Sequence, residues 1–224
     1  MAIPLVALCG IGADAACWRG IPVDEIHVPS GASIAAMADA LLATLPDRFT
    51  LAGHSMGGYV ALAVAARAPD RLAGLALLST SARADSDEQR AGRQLVMADA
   101  RADYSAVAAT LARATLARDS RADPALLDAV QAMLLRCGAD RFVEQQTATL
   151  ARPDQRASLS AIDVPVLVLT GAEDRIVAPD RSHELAGAIR GATLTVVERC
   201  GHMPQLEAAD ATRAALASWL ERTA

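Results

Sequence analysis

No lysine and no asparagine occur in the 224 residues, and all 21 basic side chains are arginine. Without lysine there is no Schiff-base amine, no phosphate-loop lysine and no Ser-Lys dyad. Without asparagine there is no Cys-His-Asn triad and no N-glycosylation acceptor. Alanine fills 52 positions. Beside an all-arginine basic set this fits a GC-rich coding sequence, so single alanines carry little weight. A basic excess is missing too. The formal net charge is −5 and the arginines are scattered, which argues against nucleic acid, a partner that selects a clustered basic face. Apolar runs are interrupted within about ten residues, well short of the ~20 needed to cross a bilayer. The four cysteines (Cys9, Cys17, Cys137, Cys200) form no CxxC pair, so reduced thiols are expected rather than a zinc site or a disulfide framework. Residues 1–10 place no positive charge before their apolar run, and that run is too short for a secretory signal. A soluble cytoplasmic enzyme is the starting expectation.

What is present is 53% apolar, enough to pack one sizeable domain and to exclude disorder. Short apolar runs at 4–8, 25–28, 49–52, 72–79, 164–169 and 193–197 read as strands. Leu75-Ala76-Leu77-Leu78 and Val166-Leu167-Val168-Leu169 contain no polar side chain, as expected for strands covered on both faces. Helical patterns at 34–45, 56–68, 182–189 and 208–220 alternate with them. Such alternation predicts an α/β chain, 1–224 as a single domain, built on a mainly parallel six-stranded sheet. One gap breaks the rhythm. Between 79 and 164 no β-rich run occurs; helical segments at 87–102, 104–117, 124–137 and 141–151 are followed by a short return helix near 154–160. The stretch is too apolar and too periodic for a linker, so a helical cap over roughly 83–161 is expected.

Gly53-His54-Ser55-Met56-Gly57-Gly58 fits GxSxG, a pattern that a chain this long matches by chance roughly once in fifteen. Context makes it specific. A predicted strand ends just before it and a predicted helix starts just after, the setting a nucleophile elbow needs. The turn is so sharp that no side chain fits at Gly53 or Gly57. A serine hydroxyl needs a base, and the base needs an orienting acid. Of four histidines, His54 lies inside the elbow and suits packing, while His27 and His183 are expected in solvent. His202, in Cys200-Gly201-His202-Met203-Pro204 after the last strand, is the candidate base. For the acid, Asp174 follows the fifth predicted strand in Gly171-Ala172-Glu173-Asp174, at the carboxyl end where open α/β sheets gather ligands. Glu173 is its neighbouring competitor, Asp163 sits at the wrong strand end, and Asp85 is the candidate if the acid follows an earlier strand.

Three motifs in the order Ser55, Asp174, His202 resemble the α/β-hydrolase superfamily, in a short form beginning at what that family counts as its third strand. The segment 83–161 is loosely similar to the caps of small carboxylesterases and enol-lactonases. The resemblance implies acyl transfer from a small ester, thioester or lactone to water through an acyl-enzyme on Ser55, without a metal or organic cofactor. It places the oxyanion hole at the backbone N–H groups of Met56 and Ile11, each contributing on the order of 3 kcal/mol. Cys9 stands where the family commonly carries histidine before Gly10. Cys9 and Cys200 could approach each other across the site, although a disulfide is not expected in a reducing compartment. Serine at 55 speaks against dehalogenase or epoxide-hydrolase relatives, which use a carboxylate nucleophile. A lyase or synthase using the same triad, or a receptor with negligible turnover, remains open. Finally, Arg83 follows the fourth strand on the Ser55 side of the sheet, where it could bind a substrate carboxylate. The plainer alternative is a solvated pair with Asp85 or Asp87.

Overall fold

The structure, a computed structural model, describes residues 3–223. The apolar runs form six parallel strands in the spatial order β2-β1-β3-β4-β5-β6. These are β1 (Leu5–Leu8), β2 (Glu25–His27), β3 (Phe49–His54), β4 (Leu72–Leu78), β5 (Val166–Gly171) and β6 (Thr193–Val197). The four inner strands are buried at every position, whereas edge strands β2 and β6 are partly exposed. Burial follows the pleat, because alternate side chains leave opposite faces. Leu51, Leu75, Leu77, Val166 and Val168 pack with α1 (Ile34–Leu42), α2 (Met56–Arg67) and α7 (Asp180–Ala188). Ala52, Ala76, Leu78, Leu167 and Leu169 face the other core, with Trp18 and with Leu216 and Trp219 of α9 (Ala209–Leu220).

The chain runs from β1 outward to β2, returns across β1 through α1, and continues from β3 to β6 in the opposite direction. Direction therefore reverses between β1 and β3. At such a reversal the loops leaving the two strands diverge and open a crevice.

Between β4 and β5 lie α3 (Asp87–Ala102), α4 (Tyr104–Thr115), α5 (Pro124–Cys137) and α6 (Ala139–Leu150), then a 3-10 turn at Arg156–Ala161. Among the described residues no strand occurs there. Local chemistry starts these helices. Ser86 and Gln89 cap α3 reciprocally, Asp103 caps α4, and Asp123 with Pro124 opens α5. Gly138, at φ 78°, breaks α5 from α6, which begins two residues before the predicted start. The first predicted helix is shorter than expected: it stops at Leu42, where the Thr44 hydroxyl donates to the Leu41 carbonyl and Pro46 follows. The last starts within one residue of its expected position, and a separate short helix, α8 (Pro204–Glu207), precedes it across Ala208 (φ −139°, ψ 55°). No helix among the described residues is long and apolar enough to cross a membrane.

Candidate active site

Ser55 sits on the turn from β3 into α2 with φ 54° and ψ −117°, a region L side chains rarely adopt. Hydrogen bonds impose it. The Ser55 N–H donates to Leu78 O at 2.9 Å, and its carbonyl accepts from Gly58 N at 2.9 Å and from the Thr80 hydroxyl at 2.7 Å. The glycines are steric requirements: a Cβ on Gly57 would lie 2.6 Å from Leu8 O, and one on Gly53 would overlap the Gly57 carbonyl.

His202 and Asp174 arrive from the loops after β6 and β5. His202 Nε2 is 2.9 Å from Ser55 Oγ and its Nδ1 is 2.8 Å from Asp174 Oδ2. All three are largely buried. The geometry selects one tautomer: Nδ1–H donates to the carboxylate, leaving Nε2 to accept from the serine hydroxyl. The second Asp174 oxygen accepts the N–H groups of Ile176 and Val177, each at 2.9 Å. Burial raises the Asp174 carboxyl, but the adjacent His202 charge, its hydrogen bond and the two backbone donors outweigh that and hold it below the usual carboxylate range. The remaining acid candidates lie elsewhere. Glu173 accepts Arg118 N at 3.1 Å, Asp163 pairs with Arg190 in solvent, and Asp85 is buried between arginines.

Ile11 follows β1 and Met56 opens α2, so both N–H groups stand at the reversal beside Ser55. Among the described residues neither N–H has a partner within the chain. The β1 loop is fixed from a distance. Gln145 of α6, fully buried, accepts Gly12 N and donates to Pro29 O, both at 2.9 Å.

Three supports escaped the sequence pattern: Thr80, Gln145 and Glu207. The Glu207 carboxylate accepts Ala117 N at 2.7 Å, Gly201 N at 3.1 Å and Met203 N at 3.0 Å. His202 N donates to Thr115 O at 2.7 Å. The end of α4 is thereby strapped onto both loops that carry Asp174 and His202. His54 packs, as expected of it, with its ring centre 4.9 Å from that of His202; it also donates Nε2–H to the His202 carbonyl at 2.8 Å. Burial first, then the nearby His202 charge, pushes its pKa down to about 3. Thr80, Gln145 and Glu207 each bond a partner remote in sequence, 25, 133 and 90 residues away, so no local spacing marks them.

A cavity of about 710 Å³ opens on Ser55 and His202. Ile11 and Tyr59 line it from the sheet side, and Leu111, Leu134 and Phe142 from the helical segment. Arg83 also lines it, with its guanidinium held by Glu184 of α7 at 2.8 and 2.9 Å rather than by Asp85 or Asp87. All four cysteines are free and buried; Cys9 faces Cys17, with sulfurs 3.6 Å apart, not Cys200. Among the described residues no group of three His, Cys, Asp or Glu side chains could hold a metal ion.

Comparison with known proteins identifies relatives of this fold. The chain is similar to the pimeloyl-[acyl-carrier protein] methyl ester esterase of Neisseria meningitidis serogroup B, at 32% identity over 194 residues, 84% of this chain and 75% of that protein. The enzyme of the same name from Chromobacterium violaceum is 32% identical over 199 residues, covering 84% and 76%. Among solved structures, a malate-bound thermophilic esterase from Thermogutta terrifontis superposes with a TM-score of 0.87 at 28% identity, over 100% of this chain and 91% of that one. The enol-lactonase from Burkholderia xenovorans gives 0.85 at 26%, over 99% and 92%. The sequence pattern of the alpha/beta hydrolase fold matches residues 27–209, from the second strand to the start of the last helix. That match spans well over half of the sequence, and the chain belongs to the α/β-hydrolase fold family.

Proposed function

We propose that the chain hydrolyses carboxylic esters through an acyl-enzyme on Ser55. One observation carries this: Ser55 Oγ, His202 and Asp174 are joined by contacts of 2.9 and 2.8 Å on the wall of a substrate-sized cavity. In this reading His202 Nε2 takes the hydroxyl proton as Oγ attacks the ester carbonyl. The N–H groups of Ile11 and Met56 receive the developing oxyanion, contributing on the order of 3 kcal/mol each. His202 then protonates the leaving alcohol, and next draws a proton from water that releases the acid. Asp174 keeps the imidazole in the tautomer this needs. Residues 83–161 act as the cap, setting the far wall of the cavity. Relatives named as esterases, and an enol-lactonase among the structural neighbours, support hydrolysis over the lyase and receptor alternatives.

A small ester or thioester is the substrate class we assign, with no cofactor. A carrier-borne ester is the second reading, favoured by an open cleft of about 580 Å³ lined by Arg113, Arg118, Arg121 and Arg175. Arg175 also lines the Ser55 cavity, so an acidic carrier seated there would present its acyl chain to the nucleophile. Four free cysteines suit a reducing compartment, and we place the chain in the cytoplasm. A fluorophosphonate probe should label one peptide, the one containing Ser55, and Ser55→Ala should abolish turnover of p-nitrophenyl butyrate. Labelling of Ser79 or Ser81, or turnover that survives Ser55→Ala, would overturn the assignment.

A further inference from the structure

The wall of the Ser55 cavity contains a second charged centre. The Asp85 side chain is fully buried and holds two guanidinium groups, Arg93 Nε at 2.6 Å on one oxygen and Arg152 Nη2 at 2.7 Å on the other. One carboxylate against two guanidiniums leaves one positive charge in excess, where water screens poorly. The two arginines differ in what they have left to give. Arg152 has each nitrogen engaged: Nη2 pairs with Asp85, Nε donates to Arg83 O at 3.0 Å, Nη1 donates to Thr149 O at 3.0 Å, and its face lies 4.3 Å from the centre of the Tyr59 ring. Its side chain is 4% exposed, that of Arg93 22%. Arg93 gives Nε to Asp85 and Nη1 to Gln146 Oε1 at 2.6 Å; among the described residues its Nη2 has no acceptor. Arg93 lines the cavity with Ser55. Tyr59, beneath Arg152, stands about one turn along α2 from Ser55, and Ser55, Tyr59, Arg93 and Arg152 line the same cavity.

We infer that the free Nη2 of Arg93 anchors a carboxylate carried by the substrate, so that half-esters of dicarboxylic acids, and lactones bearing an acid group, are preferred over neutral esters of equal length. The inference rests on ester hydrolysis at Ser55 and adds the charge of the substrate. A monoanion matches the single excess charge of Asp85 with its two arginines. Arg83 differs in charge: it is paired with Glu184 through Nε and Nη2 and carries no such excess.

The test compares mono-p-nitrophenyl adipate with p-nitrophenyl hexanoate on the full chain. The wild-type enzyme should favour the half-ester in kcat/KM. Arg93→Gln should lower the half-ester to neutral-ester ratio about tenfold or more, through KM for the charged substrate. This variant leaves Asp85 paired one-to-one with Arg152, and Arg93→Lys, which keeps the charge but loses the Nη2 donor, should give an intermediate ratio. A ratio that neither variant moves overturns the anchor. Absence of turnover with both esters would count against hydrolysis instead, and the anchor is then read by binding alone. Monomethyl adipate titrated into Ser55→Ala should bind about tenfold more tightly than into Ser55→Ala with Arg93→Gln; equal Kd values overturn it.

Discussion

Glu207 gathers three backbone donors, from Ala117, Gly201 and Met203, on one partly buried carboxylate. Its replacement therefore acts at once on both sides of His202 and on the end of α4. Each bond to a charged acceptor contributes about 1.5–3 kcal/mol, and bonds sharing a partner do not simply add. Glu207→Gln retains one oxygen, which Gly201 and Met203 can still reach, and turns an NH2 group toward the Ala117 N–H. One charged bond is lost and one donor is stranded, for a cost of about 2–4 kcal/mol. At this chain length each kcal/mol lowers Tm by ~2–4 °C, so a fall of roughly 5–15 °C is expected.

Activity should fall for a separate reason. The loop that Glu207 holds sets the imidazole of His202 against Ser55 Oγ, and a displacement of about 1 Å costs on the order of a hundredfold in rate. We expect kcat to drop between about tenfold and a hundredfold with KM little changed. Calorimetry and initial rates with p-nitrophenyl butyrate, on wild type and Glu207→Gln, measure both effects. A wild-type Tm together with kcat within about twofold would refute the reasoning entirely. A lowered Tm with unchanged kcat would confine Glu207 to stability and refute its positioning role.

Asp174→Asn should lower kcat on the order of a thousandfold or more. The Asp174 carboxyl lies below its unfolded value, so its stabilisation is present above the unfolded pKa and lost as pH falls through the folded one. The urea-measured stability gap between wild type and Asp174→Asn should therefore narrow below about pH 4, and a gap constant from pH 7 to 3 counts against the assignment. His54, held neutral to about 3, binds fewer protons folded than unfolded across the window up to its ordinary value near 6.5. Wild-type stability should decline as pH drops through that window, and His54→Gln should show a shallower slope in the same titration; equal slopes would refute it. Gln145→Leu, which releases Gly12 N from its acceptor, should reduce kcat about tenfold with KM little changed; an unchanged kcat would separate Gln145 from the oxyanion loop.

The sheet was legible because its signals are local. Leu75-Ala76-Leu77-Leu78 reads as a strand covered on both faces because turn signals bound it closely, and Gly53 and Gly57 flank a serine at a strand end. The order of Ser55, Asp174 and His202 followed from strand ends alone. Thr80, Gln145 and Glu207 left no comparable mark, because a polar residue next to a strand or on a helix resembles any solvated one. Their meaning lies in partners 25, 133 and 90 residues away, and such pairing depends on topology rather than on period. Asp85 shows the same limit from the other side. Its position after β4 suited a catalytic acid, yet Arg93 and Arg152 close on it from α3 and from beyond α6.

The strap at the end of α4 also bears on how this scaffold can be recombined. Thr115 O, Ala117 N and Arg118 N are bonded to His202, Glu207 and Glu173, so these few residues belong to the catalytic half although they lie inside the helical segment. A chimera with junctions near 83 and 161 would import a foreign strap and unseat the histidine loop. Junctions at 122 and 150 would exchange α5 and α6, with Leu134 and Phe142 of the cavity wall, while leaving residues 115–118 in register. They would also exchange Gln145, so the donor must supply an acceptor for Gly12 N. New specificities should therefore graft through the second pair of junctions and fail through the first.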